Sequence, residues 1–278
     1  MSDTQPALSA RYYLNLEESQ DGFKLATFGK KQISQLLTPL VSIGIIVWGI
    51  YLGLDGMLMR YWFLPMMFKR QFVKYQFGRS YAAHAAELGN AIPDRPVLFI
   101  KPPSSLISLQ EGISWNEAWG NCHHECELAL RIDQPLKAET NLDKVLDAIG
   151  AVTLGLDLTL RDLQDDLKKK GQPWERAKAF DGSCVLADWV SVDEVKDWSA
   201  VKFEFAVNDQ VRQKGDTSLL IFDIAYLLAD INQVFCLEPG DVIMTGTPAG
   251  VAALASGDQL SMTLHGQSQD FVWKTFVK

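Results

Sequence analysis

The chain has 278 residues, of which 47% are hydrophobic and 22% are charged, and its formal net charge is −8. This composition is typical of a globular protein and excludes global disorder, and the negative charge argues against a general nucleic-acid binder. The four cysteines form no Cys-x-x-Cys pair, which excludes a zinc ribbon or redox motif of that kind and favours a reducing cytoplasm.

The first 74 residues differ in charge from the rest of the chain. They carry eight of the 26 Lys and Arg residues and five of the 34 Asp and Glu residues, so the remainder carries 18 and 29. A sign change of this kind indicates two parts with different environments. The sequence therefore predicts an N-terminal extension over residues 1–74 and a folded domain over 75–278.

The extension contains an uncharged stretch of 19 residues, 36–54, which reads LLTPLVSIGIIVWGIYLGL. As a helix it would span roughly 28 Å, close to the thickness of a bilayer core. It starts too late and runs too long for a secretory signal peptide. Two interpretations stay open: a membrane anchor with the domain on the cytoplasmic side, or a hydrophobic helix that is buried or not native to the domain.

From about residue 74 onward, the pattern predicts an α+β fold that is rich in strands and has few helices. Helices are predicted at 80–88, 141–149, 158–170 and from Asp216 or Thr217 to about 232. Strands are predicted at 97–100, 124–132, 152–156, 201–207 and 242–244, and as a hairpin of 260–264 with 271–276. Residues 105–121 show no clear period and are predicted to form a loop.

Glu125 and Glu127 lie two apart in a predicted strand, so their carboxylates point to the same face. Two such groups repel each other unless a hard divalent cation such as Mg²⁺ lies between them. A solvated polar face is the more common origin of an E-x-E pattern. The neighbouring His123 and His124 are better suited to a structural or supporting role than to direct ligation.

Asp157 follows an apolar run, and strand ends are where functional groups are often presented. The ordinary alternative for an aspartate there is a helix N-cap. Arg161 and Gln164 are three apart in the helix predicted next, so they share a face. A solvated helix face is the alternative for that pair.

Three further patterns could carry chemistry. Lys178 lies in an apolar, tight segment and could pair with a substrate carboxylate or stabilise an enolate, or it could be a surface charge. Residues 240–250 (GDVIMTGTPAG) are predicted to form a strand followed by a tight turn. The backbone N–H groups of that turn could bind a carboxylate, or the turn could be an ordinary β-turn without a ligand. His84 and Glu87, three apart in a short helix, could orient and deprotonate a water, or form a surface pair.

In combination and in this order, these motifs resemble the fumarylacetoacetate hydrolase family. The matching stretches are GRSYAAHAAELGN (78–90), PVLFIKPPSSL (96–106), HHECELAL (123–130), LGLDLTLRDLQ (154–164), KGQPWERAKAFDGSC (170–184) and GDVIMTGTPAGV (240–251). The sequence is similar to the short, acylpyruvase- and oxaloacetate decarboxylase-like branch of that family. It departs from the branch in its extension and in the strand entering the first motif, which reads FVKYQF where the family is usually apolar.

The resemblance implies a mixed β-roll with a few flanking helices, a homodimer, and Mg²⁺ or Mn²⁺ held by Glu125, Glu127 and Asp157. It implies that His84 and Glu87 lie on a lid that orders over the substrate. The other residues that it implies for substrate binding or catalysis are Arg79, Tyr81, Arg161, Gln164, Lys178 and Thr247.

The expected activity is metal-dependent hydrolysis of a carbon–carbon bond in an acylpyruvate or another 1,3-diketo acid. One alternative uses the same metal site to decarboxylate oxaloacetate or to tautomerise or isomerise a small oxo-acid. Another alternative, from a different class, is an inactive, membrane-tethered binding protein. The sequence gives neither the acyl group nor the pathway.

Overall fold

The computed structural model of the protein describes residues 16–17, 24–25, 74–139 and 141–278. The chain divides into two units between Arg70 and Gln71. In the first unit, strand β1 (Leu16–Glu17) pairs antiparallel with β2 (Lys24–Leu25). The predicted hydrophobic helix 36–54 lies outside the described residues. Within the described residues, no helix is both long enough and apolar enough to cross a membrane.

The second unit contains a large mixed sheet in which both parallel and antiparallel neighbours occur. The strands in spatial order are β4 (Val97–Lys101), β3 (Lys74–Gly78), β14 (Val242–Met244), β7 (Cys126–Ile132), β8 (Ile149–Asp157), β10 (Cys184–Leu186) and β5 (Leu106–Ser108), and β11 (Val190–Ser191) also pairs with β8. The pairs β3–β14 and β5–β10 are parallel, and the other pairs are antiparallel. The sheet therefore joins strands that are far apart in the sequence.

Two smaller sheets accompany the large one. The first is antiparallel, in the order β13 (Gln210–Asp216), β12 (Lys202–Val207), β16 (Gln259–His265) and β17 (Asp270–Phe276). The second has the order β15 (Ala252–Ala253), β6 (Cys122–His124) and β9 (Thr159–Leu160). The strand β12 alternates as predicted, because Phe203, Phe205 and Val207 are buried on the core side of its sheet.

The described residues contain five α-helices. They are α1 (Ala82–Glu87), α2 (Leu142–Asp147), α3 (Arg161–Lys169), α4 (Glu175–Lys178) and α5 (Ile224–Val234). The longest, α5, buries Ile224, Leu227, Leu228 and Ile231, which are spaced as an amphipathic helix requires. The predicted α+β, strand-rich fold is therefore confirmed for this part of the chain.

The helix predicted to begin at Asp216 or Thr217 was placed too early. Asp216 instead caps a short 3₁₀ turn, Thr217–Leu219, where its side chain accepts a hydrogen bond from Ser218 N. The helix α5 follows Asp223, whose carboxylate accepts from Tyr226 N at 2.7 Å. Both aspartates are good N-cap residues, so residue type alone does not show which of them starts the helix. The helix was predicted from the earlier one.

One loop prediction and one strand prediction also need correction. Residues 105–121, predicted as a loop, contain β5, which pairs parallel with β10. The single strand predicted over 124–132 is interrupted at Glu125, so that β6 and β7 belong to different sheets. Residues 74–77 of the sequence FVKYQF lie in β3, which pairs with both β4 and β14.

Candidate active site

The three predicted metal ligands come together through the pairing of β7 with β8. Glu127 in β7 lies opposite Gly155 in β8, and Asp157 N donates to Glu125 O at 2.8 Å where the two strands end. Each of the three carboxylates offers an oxygen atom, and these atoms all lie within 4.8 Å of one another. All three side chains are buried. The register of two neighbouring strands thus produces a compact acidic cluster.

Two basic side chains from the adjacent helices face this cluster. Lys178, at the end of α4, donates to Glu125 Oε2 at 2.7 Å and to Asp157 Oδ2 at 2.6 Å. Arg161, the first residue of α3, donates to Glu125 Oε1 and to Gln164 Oε1, the latter at 2.8 Å. Three of the predicted site residues are therefore held in fixed orientations around Glu125 and Asp157.

Lys101 and Gln76 belong to the site, although the sequence did not single them out. The ammonium of Lys101 lies 2.8 Å from Asp157 Oδ1 and donates to three backbone carbonyl oxygens, those of Leu158, Lys178 and Ser183. Gln76 directs its amide nitrogen at both oxygens of Asp157, at 2.9 and 3.2 Å, because a carboxylate can only accept. A lysine that ends an apolar strand just before a proline was the available signal for Lys101.

Burial and charge act in opposite directions on the three ionisable groups at the centre. Burial favours a raised pKa for Glu125, but the charges of Lys178 and Arg161 outweigh it and hold that pKa below its usual value. Burial raises the pKa of Glu127 well above its usual value, and the charges of Asp157 and Glu125 add to this effect. Burial lowers the pKa of Lys178, but Asp157 and Glu125 more than offset it, so this lysine stays protonated.

The donor set fits a hard divalent cation. Three buried carboxylates present oxygen atoms close together, and oxygen is the ligand that Mg²⁺ and Mn²⁺ prefer. The neighbouring His124 is engaged elsewhere, since its Nδ1 lies 3.0 Å from Gln213 Oε1 and its ring lies against Phe205. These contacts agree with a structural role for His124.

The loop after β14 closes one side of the acidic cluster. Gly246 has a φ of 96°, a conformation that favours glycine, and its N–H donates to Glu127 Oε2 at 2.7 Å. The hydroxyl of Thr247 donates to Cys126 O at 2.8 Å and accepts from Gln213 Nε2 at 2.7 Å. The hydroxyl proton of Thr247 is therefore committed to the protein backbone, and only its oxygen is left to face a ligand.

The predicted lid pair is formed. His84 Nδ1 lies 3.2 Å from Glu87 Oε2 within α1, and the imidazole is buried whereas the carboxylate is partly exposed. Gly250 N donates to both oxygens of Glu87, at 3.0 and 3.2 Å. Helix α1 is therefore attached to the turn that ends the 240–250 motif.

These residues surround a cleft with a cavity volume of about 30 Å³. Seven predicted residues line it together, namely Arg79, His84, Glu125, Arg161, Gln164, Lys178 and Thr247. Phe77, Leu88, Phe99 and Trp174 provide apolar walls, and Asn90 and Lys168 add polar groups that the sequence did not suggest. Tyr81 is buried outside this lining, so its predicted contact with a substrate stays a prediction.

Residues 74–270 match the family model described as fumarylacetoacetate (FAA) hydrolase C-terminal. Oxaloacetate tautomerase YcgM of Escherichia coli (strain K12) is 44% identical over 192 residues, which cover 69% of this chain and 87% of that protein.

Two solved structures extend the comparison. A protein of Oleispira antarctica, described as a fumarylacetoacetate isomerase/hydrolase, superposes with a TM-score of 0.71 at 43% identity, covering 74% of this chain and 93% of that one. Fumarylpyruvate hydrolase of Pseudomonas aeruginosa, in complex with Mn²⁺ and pyruvate, superposes with a TM-score of 0.66 at 29% identity, covering 74% and 90%. The chain belongs to the fumarylacetoacetate hydrolase family of enzymes, in the short branch that its sequence motifs predicted.

Proposed function

We propose that the protein is a divalent-metal-dependent enzyme that interconverts the enol and keto forms of oxaloacetate. The observation that carries this proposal is the buried cluster of Glu125, Glu127 and Asp157, with the Lys178 ammonium bonded to two of the three carboxylates. The relative named oxaloacetate tautomerase, with 44% identity, supports this choice of reaction over the expected acylpyruvate hydrolysis.

Tautomerisation moves a proton between C3 and the oxygen on C2, through an enolate. When bound at the three carboxylates, Mg²⁺ or Mn²⁺ would supply positive charge that stabilises the enolate and its neighbouring carboxylate. Lys178 is protonated and buried, and it would donate a hydrogen bond to the enolate oxygen on C2. Arg161 and Gln164 hold the substrate carboxylate beside it from the first turns of α3.

The proton at C3 needs a group that can take it and return it. His84 lines the cleft, and its Nδ1 is bonded to Glu87, so its other nitrogen is available. We assign His84 as the general base and Glu87 as the group that orients it. The apolar walls formed by Phe77, Phe99 and Trp174 limit the entry of water, which would otherwise compete for the enolate.

The direct test is the rate at which enol-oxaloacetate disappears, followed by ultraviolet absorbance, with the full chain and added Mg²⁺, Mn²⁺ or a chelator. We expect acceleration with either metal and its loss with the chelator. Pyruvate and carbon dioxide are measured in the same samples, because oxaloacetate decarboxylation would also consume the enol. Carbon dioxide release that matches enol loss would replace the tautomerase assignment with the decarboxylase one.

Hydrolysis of an acylpyruvate is the second candidate, and the contact between His84 Nδ1 and Glu87 Oε2, at 3.2 Å, supports it. The pair His84–Glu87 could activate water for attack on the distal carbonyl, with pyruvate enolate as the leaving group. The Pseudomonas aeruginosa relative is named for such a hydrolysis. Incorporation of ¹⁸O from labelled water into the carboxylic acid product would identify this reaction, since tautomerisation incorporates none into a new acid.

An inactive binding protein is the remaining alternative from the sequence, and the complete carboxylate set argues against it. A protein that binds no Mg²⁺ by calorimetry and turns over no oxo-acid would support that alternative.

We also propose a homodimer, which sedimentation of the full chain tests. The proposed membrane contact of residues 36–54 is tested by cell fractionation. The share of protein in the membrane fraction is compared between the full chain and a variant that starts near Phe72.

A further inference from the structure

One face of α3 supplies a row of polar side chains to the cleft. Arg161, Gln164 and Lys168 are spaced at i, i+3 and i+7, and all three line the cleft. Arg161 lies at the acidic cluster, and Gln164 and Lys168 follow it along the helix. Lys168 lies about 6 Å beyond Gln164 along the helix axis. The adjacent Lys169 is exposed and lies outside the lining. The row therefore ends in a cation at some distance from the metal ligands.

Lys168 is held in place within the cleft. Its ammonium lies 5.5 Å from the centre of the Trp174 ring, and Trp174 lines the same cleft. Its ion pair with Asp165 is long, at 3.5 Å, and Asp165 is half exposed. Lys168 itself is only 22% exposed in its side chain. The contact with the Trp174 ring therefore holds the Lys168 ammonium at the wall of the cleft. The long ion pair with Asp165 neutralises the charge of this ammonium only weakly.

Two other cations act on Lys168. Burial lowers the pKa of Lys168, and the charges of Arg161 and Arg79 act in the same direction, while Asp165 opposes them. Arg161 is already bonded to Glu125, at the base of the cleft. Lys168 and Arg79 therefore form a second basic region, separate from the basic groups that bind the metal ligands.

The charges at the base of the cleft favour a doubly charged substrate. The three carboxylates are matched there by Lys101, Lys178 and Arg161, so that a divalent cation adds an excess of two positive charges. A buried excess of charge is costly, and a dianion would remove it. A 2-oxo acid with one carboxylate supplies only half of that charge.

We propose that Lys168, assisted by Arg79, forms a subsite that binds the distal carboxylate of a four-carbon 2-oxo diacid and so selects diacids over monoacids of the same length. This inference rests on the proposed function, because it names the substrate class of the same site. The 2-oxo carboxylate lies toward Arg161 and Gln164, and the distal carboxylate lies toward Lys168.

The test compares Lys168→Gln with Lys169→Gln, which removes the same charge from the same helix turn outside the cleft. Two stable ligands of equal length are titrated into the Mg²⁺-loaded full chain by calorimetry: malate, a diacid, and 2-hydroxybutyrate, a monoacid. We expect Lys168→Gln to weaken malate binding about tenfold, as for the loss of one charged hydrogen bond, with 2-hydroxybutyrate unaffected. Lys169→Gln should leave both affinities unchanged, and Lys168→Arg should retain the preference for malate.

Kinetics give an independent readout. In Lys168→Gln, the KM for oxaloacetate should rise by a similar factor with kcat retained, because the distal carboxylate binds equally in the ground and transition states. Equal weakening of malate and 2-hydroxybutyrate, no weakening of malate, or no malate binding by the wild type would overturn the subsite.

Failure of the subsite and failure of the proposed function are distinguishable. If the wild type converts oxaloacetate but Lys168→Gln alters neither KM nor malate affinity, the subsite is wrong and the tautomerase stands. If oxaloacetate is not converted but malate binding depends on Lys168, the subsite stands and the reaction must be another one on a diacid.

Discussion

Lys101 Nζ lies 2.8 Å from Asp157 Oδ1, and both side chains are inaccessible to solvent, at 0% and 1% exposure. The same ammonium donates to the carbonyl oxygens of Leu158, Lys178 and Ser183. These bonds join the end of β4 to the end of β8, the end of α4 and the residue before β10. One buried charge thereby fixes the positions of a metal ligand and of the main-chain segment that carries Lys178.

Replacing Lys101 with methionine should destabilise the protein strongly. The substitution keeps the apolar stem but removes a donor that Asp157 and three carbonyl groups share, and losing one partner of a buried pair costs roughly 3–5 kcal/mol. Urea unfolding followed by circular dichroism measures the change in the free energy of unfolding. Lys202→Met is the control, because Lys202 is 64% exposed and its ion pair with Asp216 is long, at 3.8 Å. A loss no larger than that of the control would contradict this role for Lys101.

Replacing Glu127 with glutamine should weaken divalent-metal binding while the fold is retained. The amide oxygen can still accept from Gly246 N, as Glu127 Oε2 does at 2.7 Å, but one anionic ligand is lost. Bound metal stabilises a folded protein by about 2.7 kcal/mol at a concentration of 100 times Kd, so the wild type should melt higher with Mg²⁺ and the variant should not. The exposed Glu117→Gln serves as control. A Mg²⁺-induced rise in Tm that is equal in all three proteins would exclude Glu127 as a ligand.

Replacing His84 with alanine should lower kcat for enol-oxaloacetate by about a hundredfold, the lower end of what general-base catalysis contributes. The KM should change little, because Arg161, Gln164 and Lys178 still bind the substrate. Replacing Glu87 with glutamine should have a smaller effect, since Gly250 N can still donate to the amide oxygen.

The role of the His84–Glu87 pair is tested separately in each of the two candidate reactions. For an acylpyruvate, the double variant His84→Ala with Glu87→Ala should abolish hydrolysis if the pair activates water. Unchanged acylpyruvate turnover in the double variant would remove the water-activating role, and an unchanged kcat for enol-oxaloacetate would remove the general-base role.

The cysteines should differ sharply in reactivity. Cys122, Cys126 and Cys184 are buried, and burial raises the pKa of the Cys122 and Cys184 thiols to about 12. At pH 8 these two are therefore almost entirely protonated and unreactive. Cys236 is exposed. We expect a disulfide reagent to titrate Cys236 rapidly in the native protein and the other three only after denaturation, and Cys236→Ser should remove the rapid phase. Fast reaction of more than one thiol would show that the region around β6 or β10 opens readily.

Local patterns predicted much of the fold and the residues at the centre of the site. The alternation in β12 and the E-x-E spacing of Glu125 and Glu127 reflect which face of a strand is buried, and that information is local. The order of motifs then identified Asp157, Arg161 and Lys178 as partners, through a family resemblance and not through spacing.

What the sequence did not predict depends on contacts between distant residues. Gln76, Lys101 and Gln213 are polar residues in strands, and such residues normally mark an exposed face. Here they are buried because each meets a partner from another element: Asp157 for the first two, and Thr247 for the third. The strand β5 was missed for a related reason, since its pairing with β10 is not visible from its own short sequence.

The positions of the charged groups along the chain have a consequence for how the protein folds. Pairing of β7 with β8 brings Glu125, Glu127 and Asp157 together, whereas the opposite charges of Lys101 and Lys178 arrive with β4 and α4. Until those elements dock, β7 and β8 pair against the mutual repulsion of these three carboxylates. Salt screens such repulsion, so moderate salt should speed the refolding limb of a chevron plot more than it slows the unfolding limb.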